Sequence, residues 1–334
     1  SSDGADWRTV LVGGLNAGGK IIYALDITDP VAAVTDEASA ASKFLWEFSD
    51  AADLGYTFGK PAIARLKDGT WVAIFGNGYN SSNDNAVLFV VNIQTGALIQ
   101  KITTPNIGTP TGRARPTPLD TNSDHVVDYV YAGDIRGNLW KFDFTAATAA
   151  AGGVTVSYGG NPLIKNIGQE ITTAPKVAQN PTDGGYIVAF GTGKLLEGSD
   201  NTDTTTNYMY GIYDRANYTP DVGWGGSPAL KISTVIAQVD GLPPVWLRFI
   251  QNTTTASGTL AGWALRLPGA KERVVNDPII RSGRVAFTTV DPGTEFNQNW
   301  RMGVAYLTGA APSVPYFATN GAAVINSADK VDHD

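Results

Sequence analysis

The stretch Ala73-Ile74-Phe75-Gly76-Asn77-Gly78 is an apolar segment that runs into a glycine-rich turn. The pattern returns three times, at Val10–Gly14, Val130–Asp134 and Val188–Gly193. Counted from Gly13, the glycines of successive copies are 63, 57 and 58 residues apart. A repeat of this period indicates a fold assembled from copies of one structural unit.

Short apolar segments flank each copy of this pattern. A second segment with an aromatic residue follows each copy, at Tyr23–Asp26, Phe89–Asn92, Leu139–Asp143 and Tyr210–Asp214. A proline-led segment precedes three copies, at Pro61–Ala64, Pro116–Leu119 and Pro175–Ala178, and Asn276–Ile280 with Arg284–Thr288 is a later copy. The apolar residues alternate with period two, and sustained helical periodicity is almost absent. Units of three or four short strands predict an all-β fold, a β-propeller with about six blades or part-blades. A pair of β-sandwiches is the alternative, and a repeat of this length fits it poorly.

Composition limits the classes of function. The 334 residues are 43% hydrophobic and 16% charged, which suits a folded domain with a large core. The net charge of −7 and the lack of a Lys/Arg cluster argue against a nucleic-acid partner. There is no cysteine, so disulfides and thiolate metal sites are excluded, and two histidines are too few for a histidine-rich zinc or iron centre. No apolar run is long enough to span a membrane. Because the sequence starts inside a strand-like pattern at Trp7–Val12, we expect residues 1–334 to be a single propeller domain and a fragment of a longer protein.

The strongest chemical motif lies between Asp120 and Asp128. Its candidate metal ligands are the side chains of Asp120, Asn122, Asp124 and Asp128 and the backbone carbonyl of Val126. Oxygen ligands at positions 1, 3, 5, 7 and 9 are the order of an EF-hand-like calcium loop, because alternate residues of a tight loop point inward. Three carboxylates within nine residues would also repel one another without a cation. The sequence therefore predicts a Ca²⁺ site; an ordinary acidic turn is the alternative.

The loop departs from an EF-hand in three ways. Strand-like segments flank it in place of helices, so it would be a turn within a blade. Position 12 is Tyr131, so water, a remote residue or a bidentate Asp128 must complete the coordination. Position 6 is His125 where such loops have glycine, and a positive φ there would cost about 1 kcal/mol. Two polar segments, Asn80–Asn85 and Asp200–Asp203, are weaker candidates for a second ion.

Three longer strings carry a resemblance to a known family. Tyr131–Asp143, together with Trp7–Gly14 and Tyr23–Pro30, is similar to the C-terminal domain of the type IV pilus biogenesis proteins of the PilC/PilY family. Phe190–Lys194 is a third match, and the resemblance extends over most of residues 7–215. Some members carry an Arg-Gly-Asp sequence that binds host cells, but here Arg136-Gly137 is followed by Asn138.

The resemblance implies a modified seven-bladed propeller, so the expected number of blades is about six to seven. It implies a calcium site at the five positions named above, in a protein of the bacterial surface, at the pilus tip or outer membrane. Calcium occupancy would regulate pilus extension and retraction and support adhesion and twitching motility. The implied partners are pilus components such as minor pilins, the rest of its own longer chain with an N-terminal adhesive region, and host or abiotic surfaces.

Enzymatic alternatives are weaker. Val91–Leu98 resembles the repeat of quinoprotein dehydrogenase propellers, but no cysteine pair accompanies it. A serine triad needs a histidine base, and His125 and His333 lie in the calcium loop and in a charged tail. The side chains of Trp46, Trp71, Trp140 and Trp263 could stack on sugars in a lectin or scaffold propeller, but their strand positions favour core packing. We expect a binding protein that is not an enzyme.

Overall fold

Strands dominate the computed structural model of the chain. The structure describes residues 7–29, 34–105, 112–165, 167–215, 230–240, 246–251, 260–292, 298–312 and 328–331. The helices in these ranges are a short α1 (Glu37–Ala41), a helical turn α2 (Ser157–Gly160) and a 3-10 turn at Gly198–Thr202. None of the helices in these ranges is long and apolar enough to cross a membrane.

The described strands form four sheets. The first sheet has the order β1 (Val10–Gly14), β2 (Ile22–Asp26), β3 (Phe44–Phe48). The second sheet is β4 (Ala62–Arg65), β5 (Trp71–Gly76), β6 (Val87–Asn92), β7 (Leu98–Thr103). The third sheet contains β8 (Thr117–Leu119), β9 (Tyr129–Gly133), β10 (Leu139–Asp143) and β11 (Thr155–Val156), also in chain order. The repeating segments of the sequence are thus strands of antiparallel meanders, as predicted.

The fourth sheet is larger and contains ten strands. These are β12 (Lys176–Gln179), β13 (Tyr186–Gly191), β14 (Tyr208–Asp214), β15 (Leu230–Asp240), β16 (Trp246–Gln251), β17 (Gly262–Arg266), β18 (Ile279–Arg281), β19 (Arg284–Asp291), β20 (Gln298–Ala305) and β21 (Ala328–Val331). Their spatial order is β12-β13-β14-β17-β15-β16-β21-β20-β19-β18. The β15–β16 hairpin lies between β14 and β18 in sequence, and β15 pairs in parallel with β17. Sequence repeats did not indicate this insertion.

The chain divides into two compact units. The first contains Ser1–Ala132 and Lys141–Gly160, and the second contains Gly133–Trp140 and Asn161–Asp334. In the first unit, an apolar cluster joins the first and second sheets, and the rings of Phe48, Phe75 and Phe89 lie within it at centroid distances of 5.2–5.6 Å. In the second unit, a separate cluster surrounds Trp263 and Trp300. Each unit therefore buries its own core. The single-domain assignment and the blade count stay predictions.

Three of the four tryptophans that we expected in the core are buried. Trp46, Trp140 and Trp263 are 5%, 1% and 1% exposed. The expectation was wrong for Trp71, which is the first residue of β5 and is 49% exposed.

Glycine ends the second strand of each repeat because no side chain fits there. A Cβ atom at Gly76 would lie 2.3 Å from the backbone oxygen of Ala114, and one at Gly191 would lie 2.3 Å from Cβ of Val274. Gly14 and Gly133 meet Thr57 and Ile171 in the same way, so the structure makes Gly14, rather than the Gly13 from which the spacing was counted, the first repeat glycine. Each contacted residue belongs to the segment that leads to the next proline-led strand. The repeat glycines thus let the connecting segment cross the end of the sheet.

Candidate metal-binding site

The predicted calcium loop connects β8 to β9 as a hairpin loop of the third sheet. Leu119 and Tyr129 are paired across its base, and the Asp128 N–H donates to the Leu119 carbonyl at 2.9 Å. Strands therefore flank the loop on both sides, as the sequence predicted. Residues 121–125 are exposed, so the loop faces solvent.

Side-chain oxygens turn inward at alternate positions of the loop. Asp120 Oδ1 accepts the backbone N–H of Asn122 at 3.2 Å, Asn122 Oδ1 accepts that of Asp124 at 3.0 Å, and Asp124 Oδ1 accepts that of Val126 at 2.8 Å. Each is an Asx turn, in which Asp or Asn accepts from the backbone two residues on. The structure thus brings the first three predicted ligands together in one regular series.

The carboxylate of Asp120 is the most heavily hydrogen-bonded of the series. Oδ1 also accepts the Ser123 N–H at 2.6 Å, and Oδ2 accepts the His125 N–H at 2.8 Å. Desolvation acts to raise the pKa of Asp120, but the backbone N–H groups, led by that of His125, hold this pKa below its ordinary value. Asp120 is therefore an anion at neutral pH.

Asp128 points to a different part of the loop. Its Oδ2 accepts the backbone N–H of Thr121 at 2.7 Å and the Thr121 hydroxyl at 2.5 Å. Across the described residues, no three Asp, Glu, His or Cys side chains converge closely enough to hold a metal ion. Asp128 would have to turn away from Thr121 to join the other ligands.

The backbone of the loop takes the strained conformation that its sequence implied. His125 has a φ of 66° and Ser123 a φ of 64°, both in the left-handed region that favours glycine. The prediction for His125 is confirmed, and Ser123 was not foreseen. Such strain persists where the surroundings fix it, here through the hydrogen bonds to Asp120.

The exit of the loop is fixed to its neighbours. Val127 is 4% exposed, and its N–H donates to the carbonyl of Arg65, the last residue of β4. The Asp128 carbonyl accepts the N–H of Phe144 at 2.8 Å. Hydrogen bonds to the second and third sheets therefore hold the end of the loop in place.

The donor set fits calcium in kind and in order. Three carboxylates, one amide oxygen and one carbonyl are hard oxygen ligands, and a flexible shell of oxygens is what Ca²⁺ requires. The side chains of the first three form consecutive Asx turns.

Both weaker candidates for a second ion are engaged by the protein itself. Asn83 and Asn85 donate to the buried carboxylate of Asp53, and the ammonium group of Lys101 bridges Asp53 and Asp50 at 2.8 and 2.9 Å. Lys101 thus takes the place that a cation would fill.

At the other candidate, the Asp200 carboxylate accepts hydrogen bonds from the backbone N–H groups of Leu196 and Glu197. It also forms an ion pair with the ammonium group of Lys194 at 3.1 Å. Its carboxylate therefore caps its own loop.

A buried polar network that follows the predicted calcium loop in the sequence was not foreseen. The carboxylate of Asp134, 1% exposed, accepts the Trp140 indole N–H at 2.7 Å and both the backbone and side-chain N–H groups of Asn138. Asn138 therefore has a structural role at the position where Arg-Gly-Asp proteins carry Asp. The spacing of Asp134, Asn138 and Trp140 in the sequence was the available signal.

Comparison with known proteins agrees with this architecture. A family model described as the PilY1 beta-propeller domain matches residues 1–223. The type IV pilus biogenesis factor PilY1 of Pseudomonas aeruginosa is 36% identical over 97% of this chain, which spans 31% of that protein. A PilY1 homolog of Xylella fastidiosa is 36% identical over 88% of the chain and 21% of its own length. The crystal structure of the P. aeruginosa PilY1 C-terminal domain superposes with a TM-score of 0.83, at 33% identity, over 98% of this chain and 75% of that one.

The glycine-ended meanders and the match to that domain define an all-β protein of the β-propeller type. The chain belongs to the PilY1 β-propeller domain family. The resemblance found in the sequence is thereby confirmed. The expectation that the chain is not an enzyme agrees with this family, whose relatives are named as biogenesis factors.

Proposed function

We propose that the chain is a calcium-binding domain of a type IV pilus biogenesis factor. The ion is held by Asp120, Asn122, Asp124, the Val126 carbonyl and Asp128. The observation that carries this proposal is the unbroken series of Asx turns at the first three of these positions. Family membership favours a role in pili over the lectin, scaffold or quinoprotein alternatives.

Calcium binding would order the loop by recruiting Asp128. In the present geometry Asp128 is bonded to Thr121, so the ion exchanges that contact for a direct ligand. The ordering reaches β4 of the second sheet through the bond of Val127 to Arg65, and the residue after β10 through the bond of Asp128 to Phe144. At a hundred times its dissociation constant the ion would stabilise the fold by about 2.7 kcal/mol.

At the level of the whole protein, we propose that loop occupancy regulates pilus extension and retraction and supports adhesion and twitching motility. The partners are pilus components such as minor pilins and the remainder of its own longer chain. The location is the bacterial surface, at the pilus tip or outer membrane. The family relationship to pilus biogenesis factors supports these assignments.

Calorimetric titration of calcium into chelator-stripped protein tests the site. The wild type should bind one ion in the micromolar-to-millimolar range, and Asp124→Ala should lose this binding because it removes the central carboxylate. Asp183→Ala is the matched control, since Asp183 lies in the turn between β12 and β13, at the corresponding place in the fourth sheet. It should bind as the wild type does.

Two results would contradict the site: a wild type that binds no calcium, or an Asp124→Ala variant that binds normally. The functional proposal has its own test in the longer protein. Asp124→Ala should impair twitching while the protein remains at normal levels on the cell surface. If a variant that no longer binds calcium twitches normally, calcium binding is not needed for motility, and the proposal that loop occupancy regulates the pilus is overturned.

A further inference from the structure

The contact between Thr121 and Asp128 joins the two ends of the loop between β8 and β9. Thr121 is the second residue of the loop, and Asp128 is its last candidate ligand. Both donors of Thr121 bond to one oxygen, because Asp128 Oδ2 accepts the backbone N–H at 2.7 Å and the hydroxyl at 2.5 Å. Hydrogen bonds to an ionised carboxylate are stronger than those between neutral groups. The side chain of Asp128 is therefore held at the start of the loop.

This contact differs from the other threonine–aspartate pairs of the described chain that share its two-donor pattern. In each of those pairs, a threonine donates its N–H and hydroxyl to the aspartate two residues before it. The pairs are Thr28 with Asp26, Thr145 with Asp143 and Thr205 with Asp203. They are local turns. Thr121 instead donates to an aspartate seven residues later, so local turn chemistry does not account for the contact.

The position that Thr121 gives to Asp128 is not the position of a metal ligand. Among the described residues, no three acidic side chains, those of Asp120, Asp124 and Asp128 included, converge closely enough to hold a metal ion. An ion that takes Asp128 as a ligand must first break the bonds from Thr121. A ligand that binds only a rearranged state has an apparent affinity reduced by the fraction of molecules in that state. Each bond from Thr121 therefore lowers the affinity for the ion.

We propose that the hydroxyl of Thr121 sets the calcium affinity of the loop by holding Asp128 away from the ion. This inference rests on the calcium site proposed above. The hydroxyl is the part of the contact that a substitution can remove, since Thr121→Val keeps both the backbone N–H and the β-branched shape. The net contribution of one hydrogen bond corresponds to about a three- to tenfold change in an equilibrium constant. Thr121 thus raises the calcium concentration at which the loop fills.

Calorimetric titration of calcium into chelator-stripped protein measures this effect. Thr121→Val should bind calcium about three- to tenfold more tightly than the wild type. Thr121→Ser keeps both donors and should bind as the wild type does. Thr205→Val is the matched control outside the loop, because it removes a hydroxyl that donates to Asp203 in the same two-donor arrangement. Its calcium affinity should be unchanged.

Thermal unfolding separates this role from a merely structural one. The bond from the Thr121 hydroxyl stabilises the protein only while Asp128 is not a ligand. Thr121→Val should therefore lower the thermal midpoint in chelator and match the wild type at saturating calcium. Thr205→Val should lower both midpoints alike, because its hydrogen bond does not depend on the ion. Since Thr121 is exposed, its replacement should leave the fold intact, and Thr121→Ala provides a second variant without the hydroxyl.

The outcomes distinguish failure of this inference from failure of the calcium site. If the wild type binds calcium and Thr121→Val binds it more weakly, Thr121 orients Asp128 toward the ion and the inference is wrong. Equal affinities of these two proteins would also overturn it, as would a lower thermal midpoint of Thr121→Val at saturating calcium. If neither protein binds calcium, the site itself is absent, and the inference falls with it.

Discussion

The buried carboxylate of Asp134 is expected to be one of the largest single contributors to the stability of the second unit. Replacing Asp134 by Ala removes the acceptor for the backbone N–H of Arg136, for the Trp140 indole N–H and for two N–H groups of Asn138, at distances of 2.7–2.9 Å. The three donors on Asn138 and Trp140 are the buried ones, since these two residues and Asp134 are each 1% exposed, so water cannot substitute without opening the turn. The turn between β9 and β10 should loosen first.

The magnitude follows from the number of donors that lose this acceptor. A buried donor without a partner costs about 1–3 kcal/mol, so three donors give about 3–5 kcal/mol after local relaxation. The matched control is Asp143→Ala at the end of β10, where the carboxylate accepts hydrogen bonds from the exposed Thr145. That change should cost about 1 kcal/mol or less.

Urea unfolding followed by tryptophan fluorescence measures both losses. A Trp140→Phe variant removes one of the three donors, so its effect should be non-additive with Asp134→Ala by about 0.5–3 kcal/mol. The reasoning is refuted if Asp134→Ala costs no more than the Asp143→Ala control.

Two further changes test the packing and the ion pairs. Gly76→Ala should destabilise the protein by about 1–3 kcal/mol, because the added Cβ would lie 2.3 and 2.4 Å from backbone oxygens. Gly198→Ala is the control, and it should change the thermal midpoint little because no atom lies within 4 Å of the added Cβ. Equal shifts of the thermal midpoint in the two variants would contradict this account. Burial acts to raise the pKa of Asp53, but hydrogen bonding from Lys101 holds this pKa below its ordinary value. The stabilisation is therefore present above the unfolded pKa of about 3.9 and is lost as the pH falls through the lower folded value. Lys101→Met should be less stable than the wild type at pH 7 and converge with it in acid; a constant difference down to acid pH would argue against the pair.

Local patterns in the sequence were sufficient to locate the strands of the repeats. Segments such as Ala73–Gly76 and Val188–Gly191 are apolar at every position because β5 and β13 bury both faces, so the expected alternation with period two was wrong for these two strands. The strand order of the fourth sheet was beyond sequence reasoning. The parallel pairing of β15 with β17 depends on contacts between distant segments, which leave no local period.

The candidate site was predictable to a similar extent. The candidate ligand positions follow from alternation and stay a prediction, and the positive φ of His125 follows from its place in the motif. The side-chain direction of Asp128 was not predictable, because nothing in the motif indicates that the N–H and hydroxyl groups of Thr121 both donate to its carboxylate. The ion pair of Lys101 with Asp53 was not predictable either, because the two residues are 48 positions apart in the sequence and belong to no common motif.

A crystal structure of the protein grown with calcium tests the central claim most directly. The account predicts one anomalous peak inside the loop, surrounded by oxygens of Asp120, Asn122, Asp124, Val126 and Asp128 at about 2.3–2.6 Å. Asp128 should have left Thr121 to join this shell. A loop without a peak at saturating calcium, with Asp128 still bonded to Thr121, would contradict the account.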